Sequence, residues 1–354
     1  MKIAIDISPL KTGHYLSHRV RGTGFYLTNL RNSLEKYYPK NEYVYFTRGD
    51  KFTKKTDITH FPYFEPFFLT LPFNMPKNSI VTVHDMTPFV FPKHFPSGLK
   101  GKLKWHIQKE SLGKASAIIT DSQSSKKDIA KFTGISEDKI FVVYLSAGEH
   151  FKKPETGNWK QEIVRKYNLP EKFALYVGDI TWNKNLPNLI RAINKTQIPL
   201  VIVGKTFANK EFNKNNPWNS GIKQSQELAG KNPNVIPLGF VSDEELVGIY
   251  NLATVFVMPS YYEGFGLPII EAMQSGCPVV TSRNGSIPEV AGEAVYYVDA
   301  GNVESIKDGI EKVFSSKSLQ LELSKKGLDL AGFFSWEKTA KETMNVYKKV
   351  MGES

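Results

Sequence analysis

Two glutamates, Glu263 and Glu271, bracket a Gly-Phe-Gly-Leu-Pro turn at 264–268, inside the run MPSYYEGFGLPIIEAMQSGCP. The order reads as strand end, glycine turn, helix start. Gly264 and Gly266 let the backbone approach a ligand closely, and Pro268 suits a first helical turn. The amides around 266–269 then point out of the positive end of a helix, a natural seat for phosphate. Carboxylates cannot bind phosphate, but they accept hydrogen bonds from the hydroxyls of a ribose or a hexose. Two acids flanking one anion seat therefore predict a sugar nucleotide as the ligand. Taken singly, each acid also has an ordinary place, Glu263 in a loop and Glu271 beside a helix dipole. The combination with the glycine turn argues for a site.

Such a site must be held by a parallel sheet. Apolar or β-branched runs at 2–8, 43–47, 58–61, 80–84, 117–121 and 140–144 predict strands. Helical patterns lie between most of them, at 24–37 and, capped by Asp121 or Ser122, through Phe132. The stretch 145–168, polar and carrying Pro154 and Gly157, is expected to be a linker. A second set of strands follows at 173–177, 200–203, 235–238, 255–258, 279–281 and 295–298, with helices near 186–194, 243–251, 269–274 and 303–314. The final pattern, 336–350, is an amphipathic helix with no strand after it. The expected architecture is α/β: two Rossmann-like parallel-sheet domains, an N-terminal one at 1–160 and a C-terminal nucleotide-sugar-binding one at 169–334. The helix of 335–354 is expected to pack back toward the N-terminal domain. Ligands of such sheets bind outside the carboxyl ends of the strands, so a cleft between the domains is the expected site.

With 354 residues, 41% hydrophobic, the chain is long enough for two domains with real cores, and disorder is excluded. One cysteine, Cys277, excludes an intrachain disulfide framework and suits a reducing, cytoplasmic compartment; placed between Gly276 and Pro278, it reads as a packing residue. No signal peptide or membrane span is visible. The net charge of +11 is uneven. Residues 1–168 hold 27 Lys and Arg against 15 Asp and Glu, and residues 169–354 hold 19 against 20. One domain is thus suited to an anionic surface. No helix-turn-helix, zinc or RNA-recognition signature accompanies the charge, which argues against nucleic acid. No Asp-x-Asp pair and no metal-ligand histidine spacing occurs, so no metal or other cofactor is expected. A Gly-x-Ser-x-Gly elbow is missing as well.

The segment from Glu263 to Glu271 resembles the Glu-x7-Glu motif of glycosyltransferase family 4, retaining enzymes of GT-B fold. The likeness extends through Tyr176-Val-Gly-Asp-Ile-Thr-Trp-Asn-Lys184-Asn-Leu, the Gly276-Cys-Pro-Val-Val turn and Gly285-Ser-Ile-Pro-Glu-Val. In the first half it includes Arg21-Gly-Thr-Gly-Phe-Tyr, Val83-His84-Asp85 and the run from Thr120 to Ile129. By this resemblance Glu271 holds the ribose hydroxyls, Glu263 the donor sugar's hydroxyls and Lys184 the pyrophosphate, while the amides near Phe265, Gly266 and Leu267 touch sugar and phosphates. A fixed ammonium at Lys184 favours the charge that a leaving nucleoside diphosphate accumulates. Many relatives carry Arg after the strand glycine, where this chain has Asp179; either Lys184 acts with other amides, or a basic residue elsewhere, such as Lys205, substitutes.

Gly22 and Gly24 would bring helix-start amides to the far side of the diphosphate. They do not make a dinucleotide fingerprint, because the third glycine is missing, and a nicotinamide dehydrogenase is a poor reading. His84, placed at a strand end, would bond a sugar hydroxyl. Aromatics from Phe61 to Phe73 and a basic amphipathic helix at 99–109 suggest an anionic membrane edge with Lys100, Lys102, Lys104 and Lys109, peripheral at the inner face of the plasma membrane. The expected function is transfer of a hexose, mannose favoured, from a nucleotide diphosphate sugar, GDP-mannose before a UDP-sugar, to a glycan or lipid-linked acceptor hydroxyl. The alternatives are a non-catalytic sugar-nucleotide-binding scaffold and a sugar-nucleotide 2-epimerase.

Overall fold

The structure is a computed structural model and describes residues 1–11, 13–14, 22–49, 55–152, 158–208 and 216–353. Arg21, Pro154 and Gly157 lie outside the described residues. The chain packs as two units. The first comprises Met1–Ser146 with Phe334–Ser354, and the second Ala147–Phe333.

In the first unit, β1 (Lys2–Asp6), β2 (Glu42–Phe46), β3 (Ile58–Phe61), β4 (Ser79–Thr82), β5 (Ala117–Thr120) and β6 (Ile140–Val142) form one parallel sheet in the order β2-β1-β3-β4-β5-β6. Every residue of β3, β4 and β5 is buried, as expected for strands covered on both faces. The apolar run at 80–84 predicted a strand reaching His84, but pairing ends at Thr82 and His84 lies two positions beyond it. The helix Trp336–Met351 completes this unit, docked on the helix Thr23–Tyr37. Trp336 lies edge-on to Phe25, and the Tyr347 hydroxyl is 2.7 Å from His60 Nδ1. His60 Nε2 meets the Thr82 hydroxyl at 2.8 Å, and that hydroxyl lies 3.0 Å from Tyr26 Oη. The final helix is thus joined to two central strands by a buried polar chain.

The second unit repeats the architecture. Its strands are β7 (Ala174–Val177), β8 (Leu200–Val203), β9 (Val235–Gly239), β10 (Val255–Met258), β11 (Val279–Ser282) and β12 (Tyr296–Val298). They pair in parallel in the order β12-β11-β10-β7-β8-β9. Counted from β7, this is the doubly wound dinucleotide-fold order, with its reversal between β7 and β10. Helices Leu186–Ile193 and Val303–Ser315 cover one face, with Leu189, Ile193, Ile306 and Ile310 in the same core as Leu200, Ile202 and Val257.

Among the described residues, three helices of nine or more residues depart from the sequence expectation. Trp159–Tyr167 lies inside the stretch read as linker and belongs to the second unit, which begins at Ala147 rather than after 160. Its single buried residue, Ile163, gave almost no apolar period. Ser220–Ala229 and Lys317–Ala331 were likewise obscured, because their buried faces are built largely from Gly, Ser and Ala. The basic helix is Gly98–Gly113, yet it buries Gly101, Gln108, Ser111 and Leu112 while Leu99 and Leu103 face solvent.

Burial drives the pKa of His60 down to about 3, with a smaller push from His84. The unfolded chain protonates His60 near its ordinary value of about 6.5, so the neutral ring stabilises the fold fully above that pH. Between roughly pH 6.5 and pH 3 this contribution is lost as pH falls, by up to about 1.4 kcal/mol per unit. Hydrogen-exchange protection of the Trp336–Met351 helix is therefore expected to drop steeply on acidification, and His60→Gln is expected to flatten that dependence. An identical slope in the variant would remove His60 as its source.

Candidate active site

At the reversal point, the loops leaving β7 and β10 must lie side by side, since β7 and β10 are hydrogen-bonded neighbours. Side chains lace these loops together. Asn183 Nδ2 donates to the Tyr262 carbonyl at 2.9 Å, and the Tyr261 amide donates to the Asn183 carbonyl at 2.7 Å. Asn185 occupies the left-handed region at φ 57° and donates through Nδ2 to the carbonyls of Pro259 and Ala300, at 2.9 and 2.7 Å. Trp182 stacks on Tyr261 with ring centroids 4.7 Å apart. Lys184 sits in the middle of this lacing.

The lysine reaches Glu263 directly. Lys184 Nζ donates to Glu263 Oε2 at 2.7 Å, while the Ser260 hydroxyl donates to Oε1 at 2.6 Å. Glu263 is 5% exposed, so its charge is matched by a cation and a hydroxyl rather than by bulk water. Behind it, the Ser286 hydroxyl lies 3.0 and 2.9 Å from the carbonyls of Glu263 and Phe265, and the Ser286 amide donates to the Glu263 carbonyl at 3.1 Å. With these carbonyls turned toward Ser286, the turn continues into Gly266, left-handed at φ 99°, which caps the helix Leu267–Gln274. Pro268 stands in the first turn of that helix. Glu271, also 5% exposed, accepts a bond from the Tyr250 hydroxyl at 3.0 Å.

The second unit therefore gathers Lys184, Glu263, the 265–267 turn and Glu271 at one end of its sheet. An ammonium and the first amides of a helix suit a diphosphate there, and two buried carboxylates suit hydroxyls. Lys205, one of the alternatives for the basic group missing at Asp179, is exposed, and its ammonium lies 4.5 Å over the Phe240 ring. Cys277 is buried, and burial pushes its thiol up to about 12, so it is a packing residue.

The first unit carries the other expected residues. Gly22 caps the helix Thr23–Tyr37, and a Cβ built on it would meet nothing within 4 Å among the described residues; Gly24 lies within the first turn. His84 Nδ1 is 2.7 Å from Asp121 Oδ2, and the ring stands edge-on to Tyr26 at 4.8 Å. Burial alone would depress the pKa of His84, but the charge and hydrogen bond of Asp121, with Asp85 and Glu65, outweigh it and raise it. Glu65, on the loop after β3, is pushed up to about 7, by burial and then by Asp85. Asp121 as a partner of His84 was missed in the sequence, where it read as a helix-cap candidate; the structure gives the cap to Ser122, whose side chain accepts from the Ser125 amide.

Residues 20–146 match the family described as Glycosyltransferase Family 4, and residues 159–329 that described as Glycosyl transferases group 1. The chain is 31% identical to O-antigen chain mannosyltransferase B of Escherichia coli over 280 residues, 77% of this chain and 70% of that protein. It is 27% identical to the serotype-specific mannosyltransferase WbdA of Escherichia coli over 289 residues, 79% of this chain but 34% of that much longer protein. Among solved structures, Anabaena HepE in complex with UDP-glucose has a TM-score of 0.74 at 14% identity, over 99% of this chain and 100% of that one. The two doubly wound units and the glutamate turn thus define a glycosyltransferase of GT-B fold. The chain belongs to the group 1, family 4 glycosyltransferases, on a mannosyltransferase-like branch.

The Gly285-Ser286 pair has a physical reason in this site. A Cβ on Gly285 would stand 2.6 Å from the Glu263 carbonyl oxygen and 3.0 Å from its nitrogen, at φ 61°. Gly285→Ala is expected to displace the Glu263 turn, costing roughly 1–3 kcal/mol in urea unfolding and lowering transfer activity. Unchanged stability and rate would remove Gly285 as a buttress.

Proposed function

We propose that the protein is a retaining mannosyltransferase that uses a nucleoside diphosphate sugar, GDP-mannose before a UDP-hexose, and a hydroxyl of a glycan or lipid-linked acceptor. The observation that carries this reading is the Lys184–Glu263 pair at the strand-order reversal, beside the start of the Glu271 helix. The mannosyltransferase relatives support the sugar, and the UDP-glucose bound by HepE supports the donor class. Glu271 takes the ribose hydroxyls and Glu263 those of the sugar. Lys184 and the amides of the 265–267 turn take the diphosphate.

In this mechanism the bond from the anomeric carbon to the diphosphate oxygen breaks, and the acceptor oxygen bonds the same carbon from the same face. The acceptor's proton passes to the departing diphosphate, so the configuration is kept without a covalent enzyme intermediate. Lys184 and the helix amides favour the charge building on the leaving group more than they favour the bound donor. A fixed ammonium serves here where other transferases use a divalent cation, so no metal is invoked.

Incubation with GDP-mannose and a mannose-terminated oligosaccharide is expected to yield an elongated product with an α-linkage by NMR. Glu263→Gln is expected to lower turnover by about tenfold or more with the fold intact, and Glu271→Ala to weaken nucleotide binding by calorimetry. Full activity in the Glu263 variant would remove that residue from the reaction.

An anionic membrane surface is the partner proposed for the first unit. No helix among the described residues is long and apolar enough to cross a membrane. Phe61, Tyr63 and Phe64 are buried, but Phe68 and Phe73 are 51% and 62% exposed, and Leu99 and Leu103 are 86% and 65% exposed. Lys104 Nζ lies 5.6 Å over the Phe68 ring and joins the two segments. Residues 66–109 hold six lysines against one acid, Asp85. Apolar side chains beside lysines suit the headgroup layer of an anionic bilayer. Sedimentation with phosphatidylglycerol vesicles is expected to fall with added salt and in Leu99→Ser/Leu103→Ser, while phosphatidylcholine vesicles bind little. Equal binding to both vesicle types would overturn this assignment.

A further inference from the structure

We propose that Asp121 is a positioning residue for His84, fixing the ring through Nδ1 so that Nε2 is reserved for a substrate hydroxyl. The two residues come from adjacent strands of the first unit. Asp121 directly follows β5, and His84 lies just past β4. Their bond is short, Nδ1 to Oδ2 at 2.7 Å, and Asp121 is 3% exposed.

Among the described residues two atoms of the pair have no hydrogen-bond partner, His84 Nε2 and Asp121 Oδ1, and both are buried. A buried polar atom left unpaired costs about 1–3 kcal/mol, and two in one contact argue for a pair kept for chemistry rather than packing. With the carboxylate accepting at Nδ1, Nε2 is the ring atom left to accept from a hydroxyl, or to donate to one once the ring is charged. A sugar hydroxyl has both capacities. Its ligand class is therefore a polyol, the sugar of either the donor or the acceptor.

The groups around the ring come from every neighbouring element: Tyr26 on the helix Thr23–Tyr37, His60 on β3, Glu65 after β3, Asp85 beside it and Asp121 after β5. The three acids favour the charged ring and burial opposes it, so the removal of one carboxylate must show in the titration of His84.

The pairing stands on geometry alone; its part in transfer rests on the proposed function. The test is a ¹³C-histidine NMR titration of the whole protein, with His84 assigned by His84→Gln, alongside the pH profile of GDP-mannose turnover. Asp121→Asn is expected to lower the His84 midpoint by about half a unit or more and kcat by about tenfold, moving the corresponding limb of the profile. Asp121→Glu is expected to restore part of both, and it carries the test should the asparagine variant fail to fold. An unchanged His84 midpoint in a folded variant, or a loss of stability with an unmoved pH profile, overturns the proposal. A shifted midpoint in a protein that turns over no GDP-mannose supports the pairing and counts against the donor reading instead.

Discussion

A carboxylate buried in a glycine turn has to be matched where it sits, because removing an ion from water costs several kcal/mol unless a partner compensates. Glu263 is matched by Lys184 and Ser260, and most of the second unit's detail follows from that need. Lys184 must reach across from the neighbouring strand's loop, so that loop is tied down by Asn183 and Asn185. The carboxylate's own backbone must be held, so Ser286 lies against its carbonyl and residue 285 has no side chain. The same arrangement that stabilises the empty turn supplies a cation for phosphate and an acceptor for hydroxyls.

The first unit solves a related problem with neutral groups. Its central strands bury His60, Thr82 and Tyr26, and the final helix contributes the Tyr347 hydroxyl to the same chain of bonds. Its His84–Asp121 contact, as short as the Arg48–Asp6 pair at the end of β1, stands beyond the strand ends, where ligands of parallel sheets bind. The buried acids Asp6, Asp121 and Glu263 stand at or beyond strand ends, and the cores are left largely to apolar packing.

Much of this was legible in the sequence, for identifiable reasons. Strands β8 and β10 fall where uninterrupted apolar runs end abruptly in turn residues, so their limits could be read directly. The Glu-x7-Glu segment was legible because a left-handed glycine, a first-turn proline and two acids are local requirements written in contiguous residues. Helices such as Lys317–Ala331 were not, since small residues that fill a narrow interface leave no hydrophobic period. Contacts between distant residues were beyond reach for another reason: Lys184 and Glu263 are 79 positions apart, and His84 and Asp121 are 37 apart. Glu263 could be nominated from its turn, His84 from its place at a strand end and Lys184 by resemblance, but their partners depend on strand order, which local patterning does not encode. Asp179 is a different case: the family pattern asks for a basic substitute, and Lys205, one of the alternatives, lies over Phe240.

The division of the chain has a consequence for its synthesis. The first unit is made of an early segment and a closing one, with all of Ala147–Phe333 between them. As the polypeptide leaves the ribosome, the second unit has its complete set of strands and helices before the first receives Trp336 and Tyr347. Until then the surface of the first unit that Trp336–Met351 will cover remains exposed, and His60 lacks its tyrosine, so the half of the protein translated first is the half whose native packing is completed last.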